Sequence, residues 1–294
     1  MRLPTRKQGY YNLPYSNYKL KGVISEDVVL VGLGYDEGSR FKGSQRAPTY
    51  LRSLSQKIYI GKNRFLMNVK DGLLTGFFNH QNNNLILRGK TIADYGNVDF
   101  RDLDSFFSLL KPSSTLIMIG GDHTITYHIL SNLKNRNPFS VFYFDAHEDY
   151  GEKSSCCKNN NVISWIRSLK NIEGVFQIGL RGYSCNPRSK GAFDHIYPPD
   201  AEICFEPQEI KQDCYISIDL DVLDPRICLA VSTPVMNGIE YADLKSILLQ
   251  IFTNYRVIGI DIVEFFPKKD RDFISGMLVL DLILYLLELI NSYT

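Results

Sequence analysis

The chain has 294 residues, 44% hydrophobic and 22% charged, which suits a globular protein with a substantial core built as one large α/β domain or two small ones. Its 33 basic and 32 acidic residues leave a net charge of +1, so nothing in the overall electrostatics draws it to nucleic acid or to a membrane.

The first 22 residues lack the apolar core of a signal peptide. DVVLVGLGYD (27–36) then reads as a first strand and QRAPTYLRSL (45–54) as the helix after it. STLIMIGG (114–121) is strand-like, and HTITYHILSNL (123–133) carries apolar residues at helical spacing. FSVFYFDA (139–146) is the next strand, followed by a polar stretch, YGEKSSCCKNNN (150–161), expected to be a long functional loop. Further strands are expected at GVFQIGLRG (174–182), CYISIDLDV (214–222) and YRVIGIDIVEF (255–265), with a helix at YADLKSILLQIF (241–252) between the last two. GMLVLDLILYLLELI (276–290) is interrupted by Asp281 and Glu288 and is short for a bilayer, so it reads as a C-terminal helix packed on the core. Cysteines 156, 157, 185, 204, 214 and 228 show no CxxC spacing, which points to reduced thiols and a cytoplasmic location. Continuous apolar strands alternating with helices imply a mostly parallel sheet covered on both faces, an α/β/α fold, and with no repeat or linker in sight a single domain over 1–294 is expected.

In such a sheet ligands bind beyond the carboxyl ends of the strands. Three strands end in groups that bind cations: IMIGGDH delivers His123, VFYFDAHED delivers Asp145, His147 and Asp149, and ISIDLDVLD delivers Asp219 and Asp221. If each strand persists that far, residues two apart share a face and the carboxylates converge. Alone, an Asp at a strand end is a turn or a cap. Together, four carboxylates repel one another unless neutralised, and two divalent cations would balance their charge. Two imidazoles and many carboxylate oxygens without a thiolate suit Mn²⁺ better than a structural zinc, and a two-metal hydrolase follows.

GGDH (120–123), DAHED (145–149) and SIDLDVLDP (217–225) are similar to the three metal motifs of the ureohydrolase family of arginases and agmatinases. DIVEFFP (261–267), GYDEGSRFKGSQRAPTYLR (34–52) and DYGNVD (94–99) resemble further segments of that family, in the same order. The resemblance implies an arginase-like fold and two Mn²⁺ ions, one bound by His123 and Asp149, the other by His147 and Asp221, with Asp145 and Asp219 bridging them. It implies that Asp149 relays a proton and that Glu264 pairs with a guanidinium, converting arginine to ornithine and urea. It also implies a homo-oligomer, since family members commonly form trimers or hexamers.

Two departures stand out. The family's loop histidine is absent from CCKNNNVISW (156–165), where Asn160 or Asn161 takes its place; Asn161 is expected to touch substrate. Of the other histidines, His128 lies five residues past His123 on a predicted helix, about 140° around it, and should face elsewhere, while His80 and His195 stay open. Gly151 and Val231 replace groups that arginases use around a free amino acid, so an arginine inside a precursor peptide is the expected partner, with agmatine or another small guanidino compound as the alternative. A one-zinc deacetylase-like enzyme and a silent metal-binding relative fit the ligand set less well, because neither needs all six ligands together with Glu264.

Overall fold

The apolar runs of Val, Ile, Leu and Phe become the strands of one eight-stranded sheet. The computed structural model describes residues 9–59, 69–70, 73–74, 77–80, 84–86, 89–134, 136–183, 193–203, 205 and 211–294. Cys185, Cys204 and the first eight residues of the N-terminal stretch lie outside them. The strands are β1 (Val28–Gly32), β2 (Ile92–Asn97), β3 (Thr115–Ile119), β4 (Phe139–Phe144), β5 (Ile172–Ile178), β6 (His195–Tyr197), β7 (Asp213–Asp219) and β8 (Arg256–Val263). Their order is β6-β5-β4-β7-β8-β3-β1-β2, and every neighbouring pair is parallel. Two short antiparallel pairs, Val69–Lys70 with Leu73–Leu74 and Phe77–Asn79 with Asn84–Ile86, are separate from it.

Side-chain alternation along the strands builds two cores, one on each face. Val28 and Leu30 of β1 and Cys214, Ile216 and Ile218 of β7 pack with helices α1 (Ala47–Tyr59), α5 (Tyr241–Asn254) and α6 (Ile274–Tyr293). Val29, Val31 and Tyr215 point the other way, toward α2 (Leu103–Leu109), α3 (Thr124–Asn132) and α4 (Val162–Ile166). On α5 the buried residues are Leu244, Ile247, Leu248, Ile251 and Phe252, spaced for one helical face. Each such side chain taken fully out of water contributes roughly 1.5–3 kcal/mol. Helix α6 is long and apolar enough to cross a membrane by length and composition, yet 61% of its apolar window is buried within the protein. Asp281 receives a 2.8 Å hydrogen bond from Tyr241 and Glu288 one of 2.7 Å from Asn79, so both acids that interrupt the run have partners.

The strands stop earlier than the sequence suggests. β4 ends at Phe144 and β7 at Asp219, with a 3-10 turn over Leu220–Val222. Two strands have little sequence signal: β2 contains Asp94, Gly96 and Asn97, all poor strand formers, and β6 is only three residues long.

His128 is packed among aromatic rings. Its ring meets Phe100 edge-on at 4.7 Å and lies near Tyr35 and Tyr127, at 6.1 and 5.1 Å. Burial in this aromatic cage, only partly opposed by Asp104, pushes its pKa down from 6.5 to about 4. The folded state therefore prefers the neutral ring, and this contribution is intact above pH 6.5 and lost as pH falls toward 4. We expect His128→Phe to remove about 2 kcal/mol of the acid destabilisation, the shift being discounted for partial exposure. Urea denaturation of both proteins at pH 4.5 and pH 7.5 checks this; an unchanged difference would mean the ring is solvated.

Candidate metal centre

Four neighbouring strands in the middle of the sheet, β4-β7-β8-β3, aim their carboxyl ends at one place. His123 follows β3 and opens α3, Asp145 to Asp149 follow β4, Asp219 closes β7, and Glu264 follows β8. The turn after β3 needs Gly121, because a Cβ there would lie 1.8 Å from the carbonyl oxygen of Tyr35. That contact holds the loop after β1 against the site, with Asp122 N donating to the same oxygen at 2.8 Å.

The two acids and the histidine after β4 converge by a turn rather than by strand alternation. Asp145 Oδ1 accepts the N–H of His147 at 2.6 Å, and Gln177 donates to the carbonyls of Asp145 and His147 at 2.9 and 3.0 Å. Asp149 then takes a left-handed backbone, φ +42°. Asp219 and Asp221 come together in the same way, the N–H of Asp221 donating to Asp219 Oδ1 at 2.8 Å. The strands do not persist as far as the expected alternation requires: β4 ends at Phe144 and β7 at Asp219, and short turns align the ligands instead.

His123 Nδ1 lies 2.9 Å from Asp145 Oδ2, 3.1 Å from Asp219 Oδ2 and 3.9 Å from Asp149 Oδ2. Its Nε2 lies 2.9 Å from Ser217 Oγ, which donates to buried Asp261 at 2.7 Å. This hydroxyl–carboxylate pair behind the ring is the arrangement that turns the other nitrogen toward a cation. On the far side, His147 Nδ1 lies 3.0 Å from Asp221 Oδ2 and 3.4 Å from Asp145 Oδ1. Two groups of donor atoms result, His123 with Asp145 and Asp149, and Asp145 with His147 and Asp221, each within 4.8 Å. Asp145 belongs to both.

The electrostatics of this cluster fit a cation. Asp145 Oδ2 is buried and has no hydrogen-bond partner among the described residues, because His123 Nδ1 approaches it closely without the alignment of a donor. Burial and the Asp145 and Asp221 charges push the Asp219 carboxyl well above its ordinary range, and burial with the Asp145 charge does the same to Asp149. His147 is raised to about 12 in spite of burial, by Asp145 and Asp221. Without a metal the cluster must borrow protons to be neutral; divalent cations would replace them.

Glu264 faces this cluster from the next strand. It also has a left-handed backbone, φ +61°, and is 2% exposed. Oε1 accepts from the His123 N–H at 3.1 Å and from Asn159 Nδ2 at 2.6 Å, while Oε2 accepts from Ser232 Oγ at 3.0 Å. Burial, then the nearby Asp122 charge, raise its pKa to about 7. Two acidic residues in strained backbone at one site mark it as functional.

The loop over 150–161 is arranged differently from the expectation. Asn161 does not face the site: it is 2% exposed, its Oδ1 accepts from Lys158 N at 2.8 Å, and its Nδ2 donates to Glu152 O and Ser154 Oγ, both at 3.2 Å. The 3-10 turn over Asn159–Asn161 points Asn159 at Glu264 instead. Gly151 is needed for closure of this loop, since a Cβ there would meet Asn160 O at 2.3 Å. Val231 sits in the core at 1% exposure, and the hydroxyl of the next residue, Ser232, reaches Glu264. Tyr143, one residue before the strand end, joins the site without a sequence signal; its hydroxyl lies 2.9 Å from His123 Nδ1 and donates to Asp149 at 3.2 Å. Ser217, two residues before Asp219 on one strand face, carried a usable spacing signal; Asn159 and Ser232 carried none. Of the histidines left open, His195 stacks on Phe176 at the outer strand pair, away from the four central strands, and His80 is exposed.

Comparisons with known proteins agree with this architecture. The model of the Arginase family matches residues 26–288. The agmatinase of Blochmanniella floridana is 28% identical over 277 residues, covering 89% of this chain and 87% of its own length. Among solved structures, the proclavaminate amidinohydrolase of Streptomyces clavuligerus superposes with TM-score 0.74 at 20% identity, over 99% of both chains. The Trypanosoma cruzi formiminoglutamase with Mn²⁺ gives 0.73 at 16% identity, over 92% of this chain and 95% of that one. The fold and its sheet-end cluster define a hydrolase of guanidino or amidino groups. The chain belongs to the arginase family.

Proposed function

We propose that this protein hydrolyses a guanidino group to an amine and urea, with two Mn²⁺ ions bound per chain. The observation that carries this reading is the sharing of Asp145 between two donor groups, one of whose ligands, His123, is tied through its N–H to a buried Glu264. His123 and Asp149 would hold one ion, His147 and Asp221 the other, and Asp145 and Asp219 both. When bound, the ions supply charge compensation and lower the pKa of water at neutral pH. Manganese is supported by the oxygen-rich donor set and by the Mn²⁺ of the formiminoglutamase relative.

The chain's own residues would do the rest. Glu264 offers two carboxylate oxygens to a planar cation, and Asn159 and Ser232 fix the carboxylate plane so that a guanidinium is held in one orientation. Water's oxygen adds to the guanidinium carbon, the bond from that carbon to the substrate-chain nitrogen breaks, and the departing nitrogen leaves as an ammonium after taking both water protons, the first of them handed over by a side chain. Asp149, positioned by Tyr143, is the group placed to carry that proton.

For the far end of the substrate, position 151 offers no side chain and Val231 is turned into the core, so nothing at those positions grips a free amino acid. This favours arginine within a peptide. Agmatine is the second reading, favoured by the similarity to an agmatinase over nearly the whole chain. We expect a peptide-borne arginine to show a higher kcat/KM than free arginine or agmatine, with a mass loss of roughly 42 Da from the peptide. Urea release from the three substrates under Mn²⁺ decides: agmatine winning by about tenfold or more would transfer the assignment to the second reading, and no urea from any would remove both.

A further inference from the structure

At the opposite end of the central strands, where they begin, the structure holds a cavity of about 690 Å³. That is within the range of small-ligand pockets. Its floor is the amino ends of β3, β7 and β8, and the end of α6 forms one wall. β7 runs from Asp213 in this cavity to Asp219 in the metal centre, and seven residues of strand put the two roughly 20 Å apart. The cavity is therefore separate from the site described above.

Its chemistry is lopsided. Arg136, Lys211 and Arg256 line it, against a single acidic side chain, Asp213, which is already paired with Arg256. Lys211 donates to the carbonyl of Phe252 at 3.0 Å and lies over the Tyr293 ring at 5.5 Å, which fixes its ammonium at the cavity without neutralising it. The Arg136 guanidinium is half-buried and has no ion pair among the described residues, where Asp213 attracts it and Arg256 repels it. Ser114, another lining residue, is 2% exposed, and its hydroxyl has no hydrogen-bond partner among the described residues. A buried donor left unmade costs about 1–3 kcal/mol, which a ligand oxygen would recover. The side chains thus leave two positive charges and an unused donor facing one space. The partly exposed Tyr293 ring supplies apolar surface beside them, more than an inorganic ion would use.

We propose that this cavity binds a small organic phosphate, its dianionic phosphoryl group held by Arg136, Lys211 and Arg256 and its organic part lying against Tyr293. The three cationic side chains outnumber Asp213 and the Thr294 carboxylate, and arginine forks suit phosphoryl oxygens.

The test is calorimetric titration of the full-length, Mn²⁺-loaded protein with phenyl phosphate, inorganic phosphate and phthalate at constant ionic strength. Phenyl phosphate should bind with a dissociation constant below about 1 mM, and inorganic phosphate more weakly. Arg136→Gln and Lys211→Gln, with unchanged melting temperature, should each weaken phenyl phosphate roughly tenfold, while Arg226→Gln at a distant surface should not. Because phosphate can also reach bound manganese, only loss in the cavity variants counts as support. Equal binding by wild type and both variants would overturn the proposal, as would no binding to the wild type at about 10 mM. Phthalate binding in preference to phenyl phosphate would overturn the phosphoryl assignment.

Discussion

Replacing Asp145 with asparagine is expected to release both metal ions and to lower kcat/KM by about 10³-fold or more, equivalent to roughly 4 kcal/mol of transition-state stabilisation. Asp145 belongs to both donor groups, with Oδ2 2.9 Å from His123 and Oδ1 3.4 Å from His147. An amide can still accept the His147 N–H through its oxygen, so the turn after β4 should survive. It cannot offer two anionic oxygens. Elemental analysis of the purified variant should find well under one manganese per chain, against about two in the wild type, with circular dichroism and melting unchanged or improved, since one buried charge is gone. A variant that keeps one full equivalent of manganese would show that Asp145 serves a single ion, and the shared-ligand reading would fail.

Glu264→Gln should leave the metals in place and still cost about 10³-fold in kcat/KM. The amide oxygen can keep the hydrogen bonds from Asn159 and His123 N, and the amide nitrogen can face Ser232, so local structure has a way to persist. What disappears is the negative charge opposite a cationic substrate in a site where the carboxylate is 2% exposed and poorly screened. The loss should therefore fall largely on KM, with a smaller part on kcat as the guanidinium loses its orientation. Unaltered KM with unaltered manganese content would mean that the guanidinium binds elsewhere, and Glu264 would be left as a brace for His123.

Much of this site was legible because its residues are clustered in sequence. His123, Asp145, His147, Asp149, Asp219 and Asp221 each follow an apolar run that ends abruptly in acids, and a parallel sheet gathers such ends. How they are aligned was not legible. The periodicity of a strand continues on paper through Asp149 and Asp221, whereas the backbone turns at Asp145 and at Leu220 because side-chain oxygens capture local N–H groups. Three consecutive asparagines at 159–161 are indistinguishable by composition; the 3-10 turn decides that Asn159 meets Glu264 and Asn161 closes the loop. Gly151 reads as a missing contact, but its cause is steric and lies nine residues further along the chain, in the carbonyl of Asn160. β2 was hidden because Asp94 serves Arg52 and the N–H of Tyr10 from inside a strand, with bonds of 2.8 Å to each, a role that strand propensity does not anticipate.

The order of the central strands has a consequence for how the protein can be made. β3 and β4, from the first half of the chain, clasp β7 and β8, from the second, so each outer pairing in β4-β7-β8-β3 joins the two halves. No N-terminal fragment ending before residue 256 can assemble the centre: β3 would lack one neighbour, β7 would present a bare edge, and Glu264 would be absent. During synthesis those apolar edges must wait for roughly 120 further residues to emerge after β4, a delay of several seconds to tens of seconds at ordinary translation rates. Interrupted or truncated chains should accordingly be prone to edge-to-edge association rather than to partial activity.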